Sequence, residues 1–377
     1  MFRILLLDSL TILALPFLLF ISWWRRRHPN PERRMLIIQL GKIGDMVCTT
    51  PLFRALHEAD PTCAITIMCL SGPAEIIKEN PYLSGILALH EDRFSGLRGR
   101  ITLCGRLLRD RYNVTVCVLP GTFNALLGLW SCAPRKLHVT GGRIGPIGKF
   151  FHLFFTDRLS YERGTRTYDH YMNIAKKLGA APTPYKHEVF LTEAEQRAAD
   201  EWMEQKKITG KRYTILSLTA GNVLKEWPLD RFIEVARFLL EKYNMMVLFS
   251  SSDMDRTMRA RMMLGSEQGI DAGGLPLRVL AGVIKRASLF ISVDTGPLYI
   301  AHAFGVPLID IVGPVDPKEQ PPMESERVVL VLPPSDIHPT SFVAETLRVS
   351  NEEQRRALDA IKVEDLQKAI QKLMHVS

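Results

Sequence analysis

The sequence predicts an α/β protein built from two Rossmann-like, doubly wound units, with an N-terminal membrane-anchoring helix. Three observations predict it. The chain has 377 residues, enough for two separate cores. From Met35 onward, short runs rich in Ile, Val and Leu alternate with amphipathic segments. That alternation lapses near Pro134 and restarts at Tyr213. Buried strands that alternate with helices form a parallel sheet covered on both faces. The boundaries that follow are an anchor and linker over 1–34, an N-terminal unit over 35–192 and a C-terminal unit over 193–349. A closing helical segment, 350–377, is expected to cross back toward the first unit.

The first element is the apolar stretch from Ile4 to Trp24, which ends in Trp23-Trp24-Arg25-Arg26-Arg27. A helix needs about 20 apolar residues to cross a bilayer. Tryptophans suit the interface and arginines the cytoplasmic leaflet. Positive charge after the apolar run, with no small-residue cleavage site, argues against a cleaved signal peptide. Pro16 could kink the helix or turn it back as a re-entrant hairpin, and a helix lying in the interface is the other alternative. A single span is the preferred reading, and the arginines then put the rest of the chain in the cytoplasm.

In the first unit the strands read "MLIIQL", "AITIMCL", "GILAL" and "NVTVCVL". From Pro134 to Arg166 the chain is basic, aromatic and less regular; Phe150–Phe155 reads there as a buried strand, with a run that dips into the membrane as the alternative. The second unit supplies the strands "YTILSL", "MMVLFS", "LFISV" and "PLIDIV". Val315–Val349 is proline-rich and reads as loop, and a final helix covers about Asn351 to Met374.

Composition narrows the function classes. At 46% hydrophobic and 23% charged the chain is too apolar for disorder, and its net charge of +8 suits an anionic partner. It shows no zinc-finger, RNA-binding or helix-turn-helix pattern, so nucleic acid is not an expected partner. The six cysteines all precede residue 133 and form no CxxC pair, which reads as buried thiols in a reducing compartment.

Three loops carry chemistry. Gly41-Lys42-Ile43-Gly44-Asp45 sits at a strand-to-helix turn, where glycine lets the backbone approach a ligand and the helix start favours anions. Taken alone, Asp45 reads as an N-cap. "LTAGNVLKEWPLDRF" places Lys225 beside a helix start, where it could meet a diphosphate as a point charge. "LFISV" delivers Asp294-Thr295-Gly296-Pro297 to the next helix start, and Gly313-Pro314-Val315-Asp316-Pro317 follows the adjacent strand. Two such loops on neighbouring strands indicate a nucleotide-sugar or dinucleotide site.

Together, "GKIGDMVCTTPLFRAL", "KEWPLDRF", "DTGPLYIA" and "GPVDP" resemble glycosyltransferase family 9, the ADP-heptose:lipopolysaccharide heptosyltransferases. The resemblance spans about residues 35–374. It implies a GT-B fold, two Rossmann-like domains facing across a cleft, and inverting transfer of a heptose from an ADP-sugar to a lipid-linked sugar. Carried over by position, Asp45 is the general base and Lys225 the contact to the donor diphosphate. Asp294, Thr295 and Gly296 hold the sugar and phosphates, with Gly44, Thr219 and Pro297 as further donor-binding candidates. Asp253 and Asp255 are the alternatives for a ribose or adenine contact. Arg143, Arg163, Arg166 and His170 would meet anionic groups of the acceptor; otherwise they form a solvated basic face. One departure concerns Tyr299, which stands where the family usually has His.

No metal is expected to be obligatory, because Lys225 and the helix start can stabilise the departing ADP. The implied partners are the nucleotide sugar, the lipid-linked glycan and the membrane through residues 4–24. The implied location is the cytoplasmic face of the inner membrane. Two other readings stay open: a GT-B enzyme for another nucleotide sugar, and a non-catalytic tethered binder of ADP-sugars.

Overall fold

Two six-stranded, all-parallel sheets organise the chain. The computed structural model describes residues 2–89, 96–142, 145–265, 267–345 and 347–376. One compact unit comprises residues 1–42 and 49–185, and the other 43–48 and 186–377. The start of the second helix therefore clusters with the second unit.

The first unit runs α1 (Phe2–Arg27), β1 (Arg34–Ile38), α2 (Ile43–Ala59), β2 (Ala64–Leu70), α3 (Ser71–Ile76), β3 (Gly85–Leu89), α4 (Leu97–Arg109) and β4 (Val114–Cys117). It continues through α5 (Thr122–Trp130), β5 (Arg135–Thr140), α6 (Pro146–His152), β6 (Asp157–Ser160) and α7 (Thr167–Leu178). The sheet order is β3-β2-β1-β4-β5-β6. Central β1 is covered on both sides, so Leu36, Ile37 and Ile38 are all fully buried. That explains a continuous apolar run rather than an alternating one.

The Pro134–Arg166 region is more regular than its sequence suggests, since it holds β5, α6 and β6. Phe150–Phe155 is not a strand. Pro146 opens α6, Phe151 and Phe155 enter the core, and Phe150 and Leu153 stay exposed. Pro at the first helical position sacrifices no backbone bond. The signal was therefore a helix start placed just ahead of an aromatic cluster.

The expected membrane span over Ile4–Trp24 falls within α1, one continuous helix that contains Pro16. Side chains before Ser9 lie outside the description. Among the described residues, no helix is long and apolar enough to cross a membrane.

The second unit runs α8 (Glu193–Gln205), β7 (Tyr213–Ser217), a 3-10 turn (Val223–Lys225), α9 (Leu229–Tyr243), β8 (Met246–Ser250), α10 (Met254–Leu264), β9 (Gly269–Asp271) and α11 (Leu277–Lys285). Then come β10 (Leu289–Val293), α12 (Gly296–Ala303), β11 (Leu308–Ile311), β12 (Val328–Val331), α13 (Asn351–Ala360) and α14 (Val363–Val376). The order is β12-β11-β10-β7-β8-β9. A strand, β12, lies in the proline-rich segment expected to be loop; "VVLV" pairs in parallel with β11.

The final helix is also two helices. They break at Ile361, whose carbonyl accepts from Trp227 Nε1 at 3.1 Å and from Arg231 Nη1 at 2.6 Å. A carbonyl engaged by two side-chain donors is drawn out of the helical ladder, which ends α13 without Gly or Pro. Leu358, Ile361, Leu366 and Ile370 then fill the second unit's core beside Trp227 and Phe232.

Candidate functional site

The site is built at the C-terminal ends of β7, β10 and β11, with the first turn of α2 beside them in the second unit. Central β10 lies between β7 and β11. Its C-terminal end delivers Asp294, then Thr295 as the N-cap of α12 with no side-chain cap bond. Gly296 and Pro297 open that helix, leaving backbone N–H groups directed past its start.

The start of α2 comes close to this turn. A Cβ on Gly296 would lie 2.9 Å from Ile43 Cβ, and one on Gly44 would lie 3.0 Å from the Tyr299 ring. Both glycines are needed for the two helix starts to approach. Asp45 is the third residue of α2, inside its first turn rather than at the cap. Half-buried, its Oδ1 accepts from Gln320 Nε2 at 3.1 Å. That amide orients the carboxylate, and the helix start favours its charge.

Tyr299 is fully buried, and its hydroxyl donates a short hydrogen bond to Asp294 Oδ1. Burial, reinforced by the Asp294 charge, holds the phenol well above its usual range, so it stays a neutral donor. His302 does not substitute for it. Its Nδ1 meets His187 Nδ1 at 3.0 Å, and burial lowers it to about 4.

Lys225 ends the 3-10 turn after β7, half-buried, and its charge acts on Asp310 of β11. Thr219 Oγ1 accepts from Ser251 Oγ at 3.2 Å and from Ser252 N at 3.4 Å, tying the β7 and β8 loops together. Asp253 is the N-cap of α10: its Oδ1 accepts from Asp255 N at 3.0 Å and Arg256 N at 3.3 Å. Asp255 is exposed in the following turn.

The acceptor candidates belong to the first unit. Arg163 is exposed, and Arg166 is half-buried at the start of α7. His170 is buried, contacts the Val118 carbonyl through Nε2 at 3.2 Å and packs edge-on against Tyr161. Burial takes it down to about 4, so it sits there as a neutral, packed imidazole. Arg143 lies outside the described residues.

Two residues of the site escaped the sequence reading. Gln320 follows "GPVDP" with no motif to mark it. Asp310 had a signal: it is the one charged residue within the apolar strand "LIDI". It is fully buried, and neither carboxylate oxygen has a hydrogen-bond partner. Burial, together with the Asp294 charge and against that of Lys225, pushes it well above the carboxylate range. Among the described residues, no group of three or more His, Cys, Asp or Glu is placed to hold a metal ion.

A model of glycosyltransferase family 9 (heptosyltransferase) matches residues 103–342, which include Lys225, the Asp294–Pro297 turn and "GPVDP". The chain belongs to glycosyltransferase family 9. It is a glycosyltransferase, and the reading as a non-catalytic binder falls away. Lipopolysaccharide heptosyltransferase 3 of Escherichia coli K12 is 24% identical over 291 residues, covering 72% of this chain and 80% of that one. The family 9 glycosyltransferase of Veillonella parvula has the same fold with a TM-score of 0.75 at 21% identity, covering 92% of this chain and 98% of that one. An E. coli heptosyltransferase solved with ADP-2-deoxy-2-fluoro heptose superposes with a TM-score of 0.66 at 15% identity, covering 90% and 99%. The family 9 match begins after the Gly41–Asp45 turn and does not cover it.

Proposed function

We propose that this enzyme transfers a heptose, with inversion, from an ADP-activated donor to a lipid-linked sugar such as a lipopolysaccharide core. One observation carries the reading. The Asp45 carboxylate, oriented by Gln320, is grouped in one unit with the Asp294–Pro297 turn and Lys225. An acceptor hydroxyl is a poor nucleophile and needs a base as it attacks the anomeric carbon. Asp45 takes that proton. Lys225 and the N–H groups at the start of α12 meet the negative charge that develops on the leaving diphosphate. Asp294, fixed by Tyr299, orients the sugar. Thr219 and the Asp253–Asp255 turn border the nucleotide, and Arg163 and Arg166 meet anionic groups of the acceptor. The ADP-heptose assignment draws on the E. coli relative solved with an ADP-fluoroheptose and on the lipopolysaccharide heptosyltransferase among the relatives.

The enzyme works at the cytoplasmic face of the inner membrane, where its acceptor is held, and the N-terminal helix attaches it there. It needs no metal; loss of turnover in EDTA that magnesium restores would refute this. Asp45→Asn should lower kcat by roughly 10²–10⁴-fold while donor affinity persists. Calorimetry with ADP-heptose against UDP-, GDP- and dTDP-sugars tests the donor. Tight binding only to a non-adenine donor would replace this reading with transfer from another nucleotide sugar.

A further inference from the structure

Helix α1 has two unlike faces. Thr11, Leu15, Leu18, Ser22 and Arg25, spaced three or four apart, are buried against the first unit. Polar bonds fasten both ends of this stripe. Trp130 Nε1 of α5 donates to Thr11 Oγ1 at 3.0 Å. Ser22 Oγ donates to the Ala133 carbonyl at 2.9 Å and accepts from Lys136 Nζ at 2.6 Å. Arg25 Nη1 donates to the Ser131 carbonyl at 2.8 Å. Fourteen residues of helix rise about 21 Å, so the domain accompanies α1 over most of a bilayer's thickness.

The opposite face is apolar and open. Leu13 is 78% exposed, Phe17 and Phe20 are each 58% exposed, and Trp24 is 42% exposed. At its C-terminal end, Phe20 stacks on Trp23 and the Arg27 guanidinium lies 4.0 Å from the Trp23 ring. A helix bonded to protein on one face and apolar on the other, edged by Trp23, Trp24 and the Arg27 guanidinium, has the pattern of a helix lying on an anionic leaflet.

We propose that this outer face of α1 is a docking surface for an anionic bilayer, with the helix lying in the plane of the interface rather than crossing it. A crossing of Ile4–Trp24 would draw the part of the first unit bonded along Thr11–Ser22, Lys136 Nζ included, into the bilayer, where charge is expensive. An in-plane helix leaves that part on the aqueous side. The inference rests on the membrane attachment argued under Proposed function and specifies its geometry.

The test uses the full chain. Vesicles of phosphatidylethanolamine and phosphatidylglycerol should carry it up a density gradient, and phosphatidylcholine vesicles should carry less. The double variant Phe17→Glu/Phe20→Glu should bind the anionic vesicles about tenfold less or weaker still, with an unchanged melting temperature. An N-terminal epitope tag should be cut by protease added to inverted inner-membrane vesicles. Equal flotation of parent and variant would overturn the proposal. So would a tag protected by the bilayer, which means a span. A lipid-free dimer that the variant dissolves would assign the face to a second copy instead. Transfer to a short soluble acceptor is measured in parallel and should not change in the variant. If it is absent in both proteins while flotation behaves as expected, the heptosyl reading fails and the docking surface stands.

Discussion

The two units share one sheet plan and use it differently. Each sheet, followed from its own first strand, has the order 3-2-1-4-5-6. In the second unit, the C-terminal ends of β7, β10 and β11 carry a lysine, a carboxylate turn and a buried aspartate. In the first unit, the same layers hold up α1, and the candidate polar residues sit on exposed loops or turn inward, as His170 does. The contrast teaches that topology offers positions and loop residues decide their use.

Several substitutions can break or sharpen that contrast. Trp227→Ala should have the largest effect on folding. It removes a fully buried indole and its bond to the Ile361 carbonyl, at a cost of about 3–5 kcal/mol read from denaturant unfolding. The loss should fall on the second unit, and an equal loss of hydrogen-exchange protection in the first would show that the two do not unfold separately. In steady-state kinetics, Lys225→Ala should lower kcat by roughly 10²-fold through lost stabilisation of the leaving group. Arg163→Ala with Arg166→Ala should instead raise the acceptor KM and spare kcat. The reverse pattern would exchange the roles assigned to the two units.

His302, lowered to about 4 by burial, gives the second unit an acid dependence, and acid should unsettle the first unit too. His138 and His170 are buried there, and burial lowers both to about 4 from an ordinary 6.5. Below 6.5 they would be charged when unfolded but stay neutral when folded, so their contribution is full only above 6.5. Stability should fall as pH drops from 6.5 toward 4, by up to about 3 kcal/mol for each group. Asp310 in the second unit works the other way. Its folded value is raised, so its contribution is full below the ordinary carboxylate range and is lost as pH rises through its folded value. Asp310→Asn should remove that decline and leave stability at neutral pH unchanged or higher by about 1 kcal/mol. A lower melting temperature for this variant at pH 7 would show that the charged form has a partner. Gly296→Ala, with its Cβ set 2.9 Å from Ile43, should cost about 1–3 kcal/mol.

Much of this was legible in the chain. The apolar runs marked most of the buried strands, because a parallel strand covered on both faces cannot alternate. The Asp294–Pro297 turn was legible because Gly and Pro at a helix start have few other uses. What escaped was set by distant partners. The break at Ile361 depends on Trp227 and Arg231, more than a hundred residues away in sequence. The helix at Pro146–His152 was hidden by an aromatic cluster that satisfies either period. Strand β12 is only four residues long, and pairing with β11 makes it a strand.

By itself, then, the sequence determined the class of fold, the two-unit plan and the family, through local patterns that need no distant partner. Its own turn left Asp45 reading as a cap, and only the resemblance made it the expected general base. The tertiary structure moved Asp45 inside the first turn of α2 and set Gln320 against it, because Gly44 and Gly296 let two helix starts approach more closely than side chains would allow. It also divided α1 into a bonded face and an open one. Both outcomes depend on which residues meet across the fold, and spacing along the chain does not encode that.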